Sequence, residues 1–130
     1  MKILIVEDDE VSRLFLQKSL SQYGDCDITI DGMEALDAYL IGLQEGMPYD
    51  LICLDIMIPK VNGVKVLKSI RELERKKRMK KNQYVKVIVI TALAETQFVN
   101  ESLTEGYDVY IEKPINSKVL DQALNKLGLI

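Results

Sequence analysis

The sequence predicts a doubly wound α/β fold: five parallel strands in the order 2-1-3-4-5, each followed by a helix, a (βα)5 chain. Three observations predict it. Five short apolar runs recur along the chain. The segments between them place apolar residues at steps of three and four. Capping and turn residues stand where one element should give way to the next. Such alternation argues for a parallel sheet with right-handed crossovers, and this strand order is that of flavodoxin-like sheets.

The strands are read at ILIV (3–6), CDITI (26–30), LICL (51–54), VKVIVI (85–90) and DVYI (108–111). The first, third and fourth are nearly continuous apolar runs, as expected of strands covered on both faces. The first helix, over 10–22, presents Val11, Leu14, Phe15 and Leu20. The second, over 33–44, presents Met33, Leu36, Leu40 and Leu43. The third, over 63–75, presents Val64, Leu67, Ile70 and Leu73. The fourth, around 95–104, has only Phe98, Val99 and Leu103 to bury. The fifth, over 117–127, presents Val119, Leu120, Ala123, Leu124 and Leu127. Asp9 can cap the first helix and Tyr23-Gly24 ends it. Asp31-Gly32 leads into the second, Gly106 closes the fourth, and Asn116 or Ser117 caps the fifth.

The 130 residues fit one domain, 1–130, with 48% hydrophobic residues to build a core. The opening MKILIVEDD has a four-residue apolar run before three acids, which does not make a signal peptide, and no run approaches membrane-spanning length. A cytoplasmic protein is expected. The net charge of −3 does not advertise nucleic-acid binding, so no direct DNA contact is expected. The charge is uneven: residues 71–81, RELERKKRMKK, carry a local +5. That run reads as a solvated helix end with a lengthened loop; the alternative is a dock for an acidic partner, RNA or a membrane surface. Without histidine, His catalysis, His pH switching and His-ligated zinc are excluded. Cys26 and Cys53 read as buried thiols, with a strand between them that puts them roughly 10 Å apart, too far for a disulfide.

In open α/β sheets the chemistry sits at the carboxyl ends of the strands. There the sequence offers Asp8 and Asp9 after strand 1, Asp55 ending strand 3, Thr91 and Ala92 after strand 4, and Lys113 and Pro114 after strand 5. Glu7 stands beside the acidic pair and is left out of it. Carboxylates about 5 Å apart repel by roughly 3 kcal/mol per pair at an effective dielectric near 20. A hard divalent cation resolves that conflict, and Mg²⁺ commonly keeps waters and a phosphate oxygen as further ligands. A lysine and a threonine hydroxyl opposite suit phosphate oxygens. Asp55 is then the natural nucleophile for an aspartyl phosphate.

With "LIVEDD", "LDIMIPKVNG", "VITA" and "YIEKPI" at the ends of strands 1, 3, 4 and 5, the whole chain resembles the receiver domains of two-component response regulators, single-domain chemotaxis regulators among them. The resemblance implies that Asp55 accepts a phosphoryl group from a histidine kinase or phosphotransfer protein. It implies Mg²⁺ held by Asp8, Asp9, Asp55 and the Met57 backbone carbonyl. Lys113 would pair with the phosphoryl oxygens, Thr91 and Ala92 would bind them, and Tyr110 would follow Thr91 inward. Pro114, Pro59 and Gly63 would be the cis-proline and turn positions. The helix 4–strand 5–helix 5 face would then be reshaped for a protein effector, in a monomer or a phosphorylation-dependent dimer. Such a chain is a phospho-acceptor signalling protein, not an enzyme, catalysing only its own phosphorylation and dephosphorylation.

Met57 and Leu93 lie two residues after Asp55 and Thr91, and neither can orient a water by hydrogen bonding, so a fairly long-lived phosphoryl state is expected. Tyr107 reads as local packing, with added bulk on the partner face as the alternative. The ending NKLGLI, just after helix 5, favours a single-domain protein, although a receiver trimmed from a longer regulator would look the same. Two competing functions fit less well. A haloacid-dehalogenase-type phosphatase needs D-x-D-x-[TV] after strand 1, where this chain has EDDEV. A flavodoxin-like electron carrier needs a Ser, Thr and Gly-rich phosphate loop there, not an acidic one.

Overall fold

The computed structural model describes residues 1–103 and 106–130, without the side chains of Leu93 and Ser102. Strands and helices alternate: β1 (Lys2–Val6), α1 (Glu10–Leu20), β2 (Asp25–Thr29), α2 (Gly32–Gln44), β3 (Leu51–Asp55), α3 (Gly63–Lys76), β4 (Lys86–Thr91), α4 (Thr96–Ser102), β5 (Val109–Glu112) and α5 (Ser117–Lys126). The five strands form one parallel sheet in the order β2-β1-β3-β4-β5.

The pleat sends alternate residues to opposite faces, and each face has its own core. Ile3, Ile5, Cys53, Ile88 and Ile90 pack with Leu16 and Leu20 of α1 and Leu120 and Leu124 of α5. Leu4, Val6, Ile52, Leu54, Val87 and Val89 pack with Tyr39 of α2, Leu67 and Ile70 of α3 and Val99 of α4. β3 is buried along its whole length, whereas the edge strand β2 is buried only at Thr29. Asp9, Asp31, Asn62 and Asn116 each accept a backbone N–H of the helix they start, satisfying donors that a helix leaves orphaned.

Several details depart from the sequence reading. Val11, Leu14 and Met33 are exposed; α1 buries Leu16 beside the expected Leu20. Steps of three and four fit more than one stripe of this helix, and packing on the sheet and α5 turns Leu16 inward. α1 ends at Leu20, ahead of Tyr23-Gly24. α4 begins at Thr96 after a 3-10 turn over Leu93–Glu95, and its Phe98 is exposed. The far end expected for that helix, Thr104, lies outside the described residues. Cys53 is buried, but Cys26, on the edge strand, is only half-buried; both are free thiols. β1 lies between them, pairing Ile3 with Cys26 and Ile5 with Cys53.

The basic segment 71–81 is not uniformly solvated either. Arg71 and Glu74 are buried within it. Arg71 donates to Glu74 at 2.7 Å, to the carbonyls of Val85 (2.8 Å) and Gly106 (2.7 Å), and to Asp108 at 3.2 Å. Glu74 also accepts from the Tyr39 hydroxyl (3.0 Å) and the Val85 N–H (2.8 Å). Charges removed from water need such a full set of partners. No helix among the described residues is long and apolar enough to cross a membrane.

Candidate functional site

The register brings one end of every strand to a common rim. Val6 pairs with Leu54, Asp55 with Ile90, and Thr91 with Glu112. Glu7 and Asp8 therefore leave β1 beside Asp55 at the end of β3, and Lys113 follows β5 on the same side. Backbone bonds stitch this rim together: Glu7 N–H to Thr29, Ile56 N–H to Ile90, and Lys113 N–H to Thr91.

Asp55 is 5% exposed. Its Oδ1 accepts the Met57 N–H at 3.1 Å, and its Oδ2 accepts from Lys113 Nζ at 3.0 Å. The same Nζ lies 2.6 Å from Glu7 Oε1. Glu7 is fully buried, and neither of its oxygens has a well-formed hydrogen bond among the described residues. Burial, then the close Asp55 carboxylate, pushes its carboxyl up to about 8, while Lys113 pulls the other way. Burial works against the charge of Lys113, but its ion pairs with Glu7 and Asp55 leave it more firmly protonated than an ordinary lysine. Oxygens of Glu7, Asp8 and Asp55 lie within 4.8 Å of one another, a donor set that fits a hard cation.

Gly63 shapes the loop after β3. Its N–H donates to the Ile56 carbonyl at 2.7 Å, and a Cβ there would sit 2.5 Å from the Asp55 carbonyl oxygen. Only glycine lets α3 start this close to the strand end. The Pro59 carbonyl accepts the Gly32 N–H, tying the same loop to the start of α2. The Lys113–Pro114 peptide bond is cis.

Thr91 is buried at the end of β4, its hydroxyl 3.3 Å from the Ala92 carbonyl and 3.5 Å from Glu95 Oε2. Glu95 also accepts the Ala92 N–H at 3.3 Å. The Tyr110 hydroxyl is buried without a hydrogen-bond partner among the described residues. Met57 is exposed at the rim; the Leu93 side chain lies outside the described residues.

The structure thus brings Asp8, Asp55 and Lys113 together as the sequence places them, with Thr91 and Ala92 at the adjoining strand end. It does not bring Asp9 into the carboxylate cluster. Asp9 accepts the Ser12 N–H at 2.9 Å as the cap of α1, and that bond holds its carboxyl below the usual range. Glu7 is the acid that sequence reasoning missed. The signal was present: it directly follows the last buried residue of β1. Glu95, bracing the turn after β4, carried no such signal.

Comparison with known proteins follows the same lines. The family model described as the response regulator receiver domain matches residues 3–125. Response regulator ArlR of Staphylococcus saprophyticus is 36% identical over 120 residues, covering 92% of this chain and 48% of ArlR. Hybrid signal transduction histidine kinase I of Dictyostelium discoideum is 33% identical over 126 residues, 95% of this chain and 7% of that protein. The chain therefore spans about half the length of ArlR and a small part of the kinase. Among solved structures, the receiver domain of a Francisella response regulator superposes with a TM-score of 0.70 at 31% identity, covering 97% of this chain and 94% of that one. The receiver domain of the sensor histidine kinase PA1611 from Pseudomonas aeruginosa PAO1, with a magnesium ion in its active-site cleft, gives 0.77 at 25% identity, covering 98% and 97%.

Proposed function

The chain belongs to the response regulator receiver domain family of two-component phosphorelay signalling, and from that premise we propose that Asp55 is its phosphoryl acceptor. The observation that carries this reading is the meeting of Glu7, Asp8, Asp55 and Lys113 at one sheet rim. Asp55 is the member that contacts Lys113, receives a backbone N–H and ends a central strand. An oxygen of Asp55 attacks phosphorus, and the bond to the donor breaks. The donor is a histidine kinase or a histidine phosphotransfer protein.

Lys113 moves with the charge, from the carboxylate to the phosphoryl oxygens. The Thr91 hydroxyl exchanges two long contacts for a phosphoryl oxygen, helped by the Ala92 N–H once Glu95 releases it. Tyr110 fills the space that Thr91 leaves, and α4, β5 and α5 form the face read by a protein effector. We assign the cation site to Glu7, Asp8, Asp55 and the Met57 carbonyl, with Asp9 acting as helix cap. Mg²⁺ bound there supplies positive charge that offsets the crowded carboxylates and the incoming phosphoryl group. The unit is the single domain 1–130, cytoplasmic, a monomer or phosphorylation-dependent dimer, and its only catalysis is on its own aspartyl phosphate.

Intact mass after incubation with Mg²⁺ and a small acyl-phosphate donor tests the assignment. One phosphoryl adduct, lost with EDTA and absent in Asp55→Asn, is expected. An adduct that persists in the folded variant would move the acceptor elsewhere.

A further inference from the structure

At the sheet rim opposite Asp55, a cavity of about 460 Å³ lies between α3 and the segments leading into β4 and β5. Its size is that of a small-molecule site. Lys68, Arg75, Lys81 and Lys86 line it, and none of these four makes an ion pair with a carboxylate among the described residues. The one acid on the described lining, Asp108, is committed to Arg71 and to the Val87 N–H. Arg71 is likewise occupied on every side, so it forms a fixed floor and not a free charge.

The rings of Tyr84 and Tyr107 also line the cavity, with Leu67 and Leu103 adding apolar wall. The Arg71 guanidinium lies 5.6 Å from the centre of the Tyr84 ring, within cation–π range. Four cations without an ion pair among the described residues, beside two aromatic rings, are more than a solvated helix end requires. Cations match phosphate oxygens, and tyrosine rings and leucines match a planar ring system.

We infer that this cavity binds a small phosphorylated ligand carrying a planar ring, of the nucleotide class, at a site separate from the phosphoryl-acceptor rim. Lys68, Arg75, Lys81 and Lys86 hold the phosphates, and Tyr84 and Tyr107 hold the ring.

Amide NMR shifts of the full chain, titrated without divalent metal with AMP, ATP and inorganic tripolyphosphate, test the inference. Saturable shifts at Lys68, Lys81, Tyr84, Lys86 and Tyr107 are expected, with ATP at least about fivefold tighter than tripolyphosphate. The exposed double variant Arg75→Glu, Lys81→Glu should weaken ATP binding tenfold or more, while its Asp55 phosphorylation by acyl phosphate stays unchanged. Equal binding of tripolyphosphate and ATP would reduce the site to a bare cationic patch and overturn the proposal. So would unsaturable shifts, shifts confined to the Asp55 rim, or a single-stranded RNA oligomer binding more tightly than ATP with shifts spread along residues 75–81.

Discussion

The Lys113 ammonium lies 2.6 Å from Glu7 and 3.0 Å from Asp55, so the lysine is shared between a fully buried acid and the proposed acceptor. One cation cannot neutralise two carboxylates and leave a third, Asp8, nearby without cost. Without metal, burial and the adjoining Asp55 carboxylate push the Glu7 carboxyl up to about 8, which favours a proton there.

That proton has a stability signature. An unfolded Glu7 releases it near 4.5 and the folded one near 8. Between those values the native state binds more protons than the unfolded state. The Glu7 contribution is therefore complete below about pH 4.5 and is lost as pH rises towards 8. In EDTA, the parent should lose more stability than Glu7→Gln between pH 5 and 8, by more than about 1 kcal/mol, since a tenfold difference in proton affinity between the two states is worth about 1.4 kcal/mol. Urea unfolding of both proteins at the two pH values checks it; parallel profiles would mean that Glu7 folds already ionised.

The three consecutive acids make two opposite predictions. Glu7→Gln and Asp8→Asn each remove a member of the cluster and should weaken Mg²⁺ binding about tenfold or more, as loss of a ligand does. Asp9→Ala removes the cap of α1. It should lower the melting temperature by a few degrees and leave Mg²⁺ affinity within about twofold, because Asp9 is not in that ligand set. Calorimetric titration with Mg²⁺ separates the two. Loss of binding in a folded Asp9→Ala would return Asp9 to the ligand set.

The contrast shows what the sequence could and could not carry. Strand positions were legible because β1, β3 and β4 are buried on both faces and leave unbroken apolar runs. Asp55 was legible because it ends such a run, and Lys113 because it stands with Pro114 just past β5. The choice between Asp8-Asp9 and Glu7-Asp8 was misread although Glu7 directly follows the last buried residue of β1, because which of three acids in a row face Asp55 depends on where the chain turns off the sheet. The α1 face was misread in part for a related reason: Leu20 is buried as expected, but Leu16 has helical spacing too, and only the packing against the sheet and α5 turns it inward in place of Val11 and Leu14. Arg71 was hidden among seven basic residues. Its burial is set by Asp108 and Gly106, which only the tertiary fold brings near.

Arg71 and Glu74 should be costly to separate. Glu74→Ala would leave the Arg71 guanidinium buried with its Glu74 bond gone, and the Tyr39 hydroxyl and Val85 N–H would lose their acceptor. Breaking one side of a buried pair costs about 3–5 kcal/mol. Urea denaturation of Glu74→Ala should show a loss in that range. The double variant Arg71→Met, Glu74→Leu should recover part of it, since removing both charges leaves fewer groups unsatisfied. A loss below about 1 kcal/mol would mean that water enters and solvates the arginine.

Met57 bears on how long the phosphoryl state lasts. Its N–H is held by Asp55, and its side chain is 46% exposed at the mouth of the site. Hydrolysis needs a water aligned with the Asp55–phosphorus bond, and a thioether can cover that path but cannot orient the water. A lifetime of minutes or longer is expected for the parent. Met57→Asn supplies a donor and an acceptor at the same position and should shorten the lifetime several-fold without changing Mg²⁺ affinity. Following the loss of the phosphoryl mass adduct with time, after removal of donor, measures both proteins. A parent half-life of seconds would show that water is aligned by another group, and Met57→Asn should then have no effect.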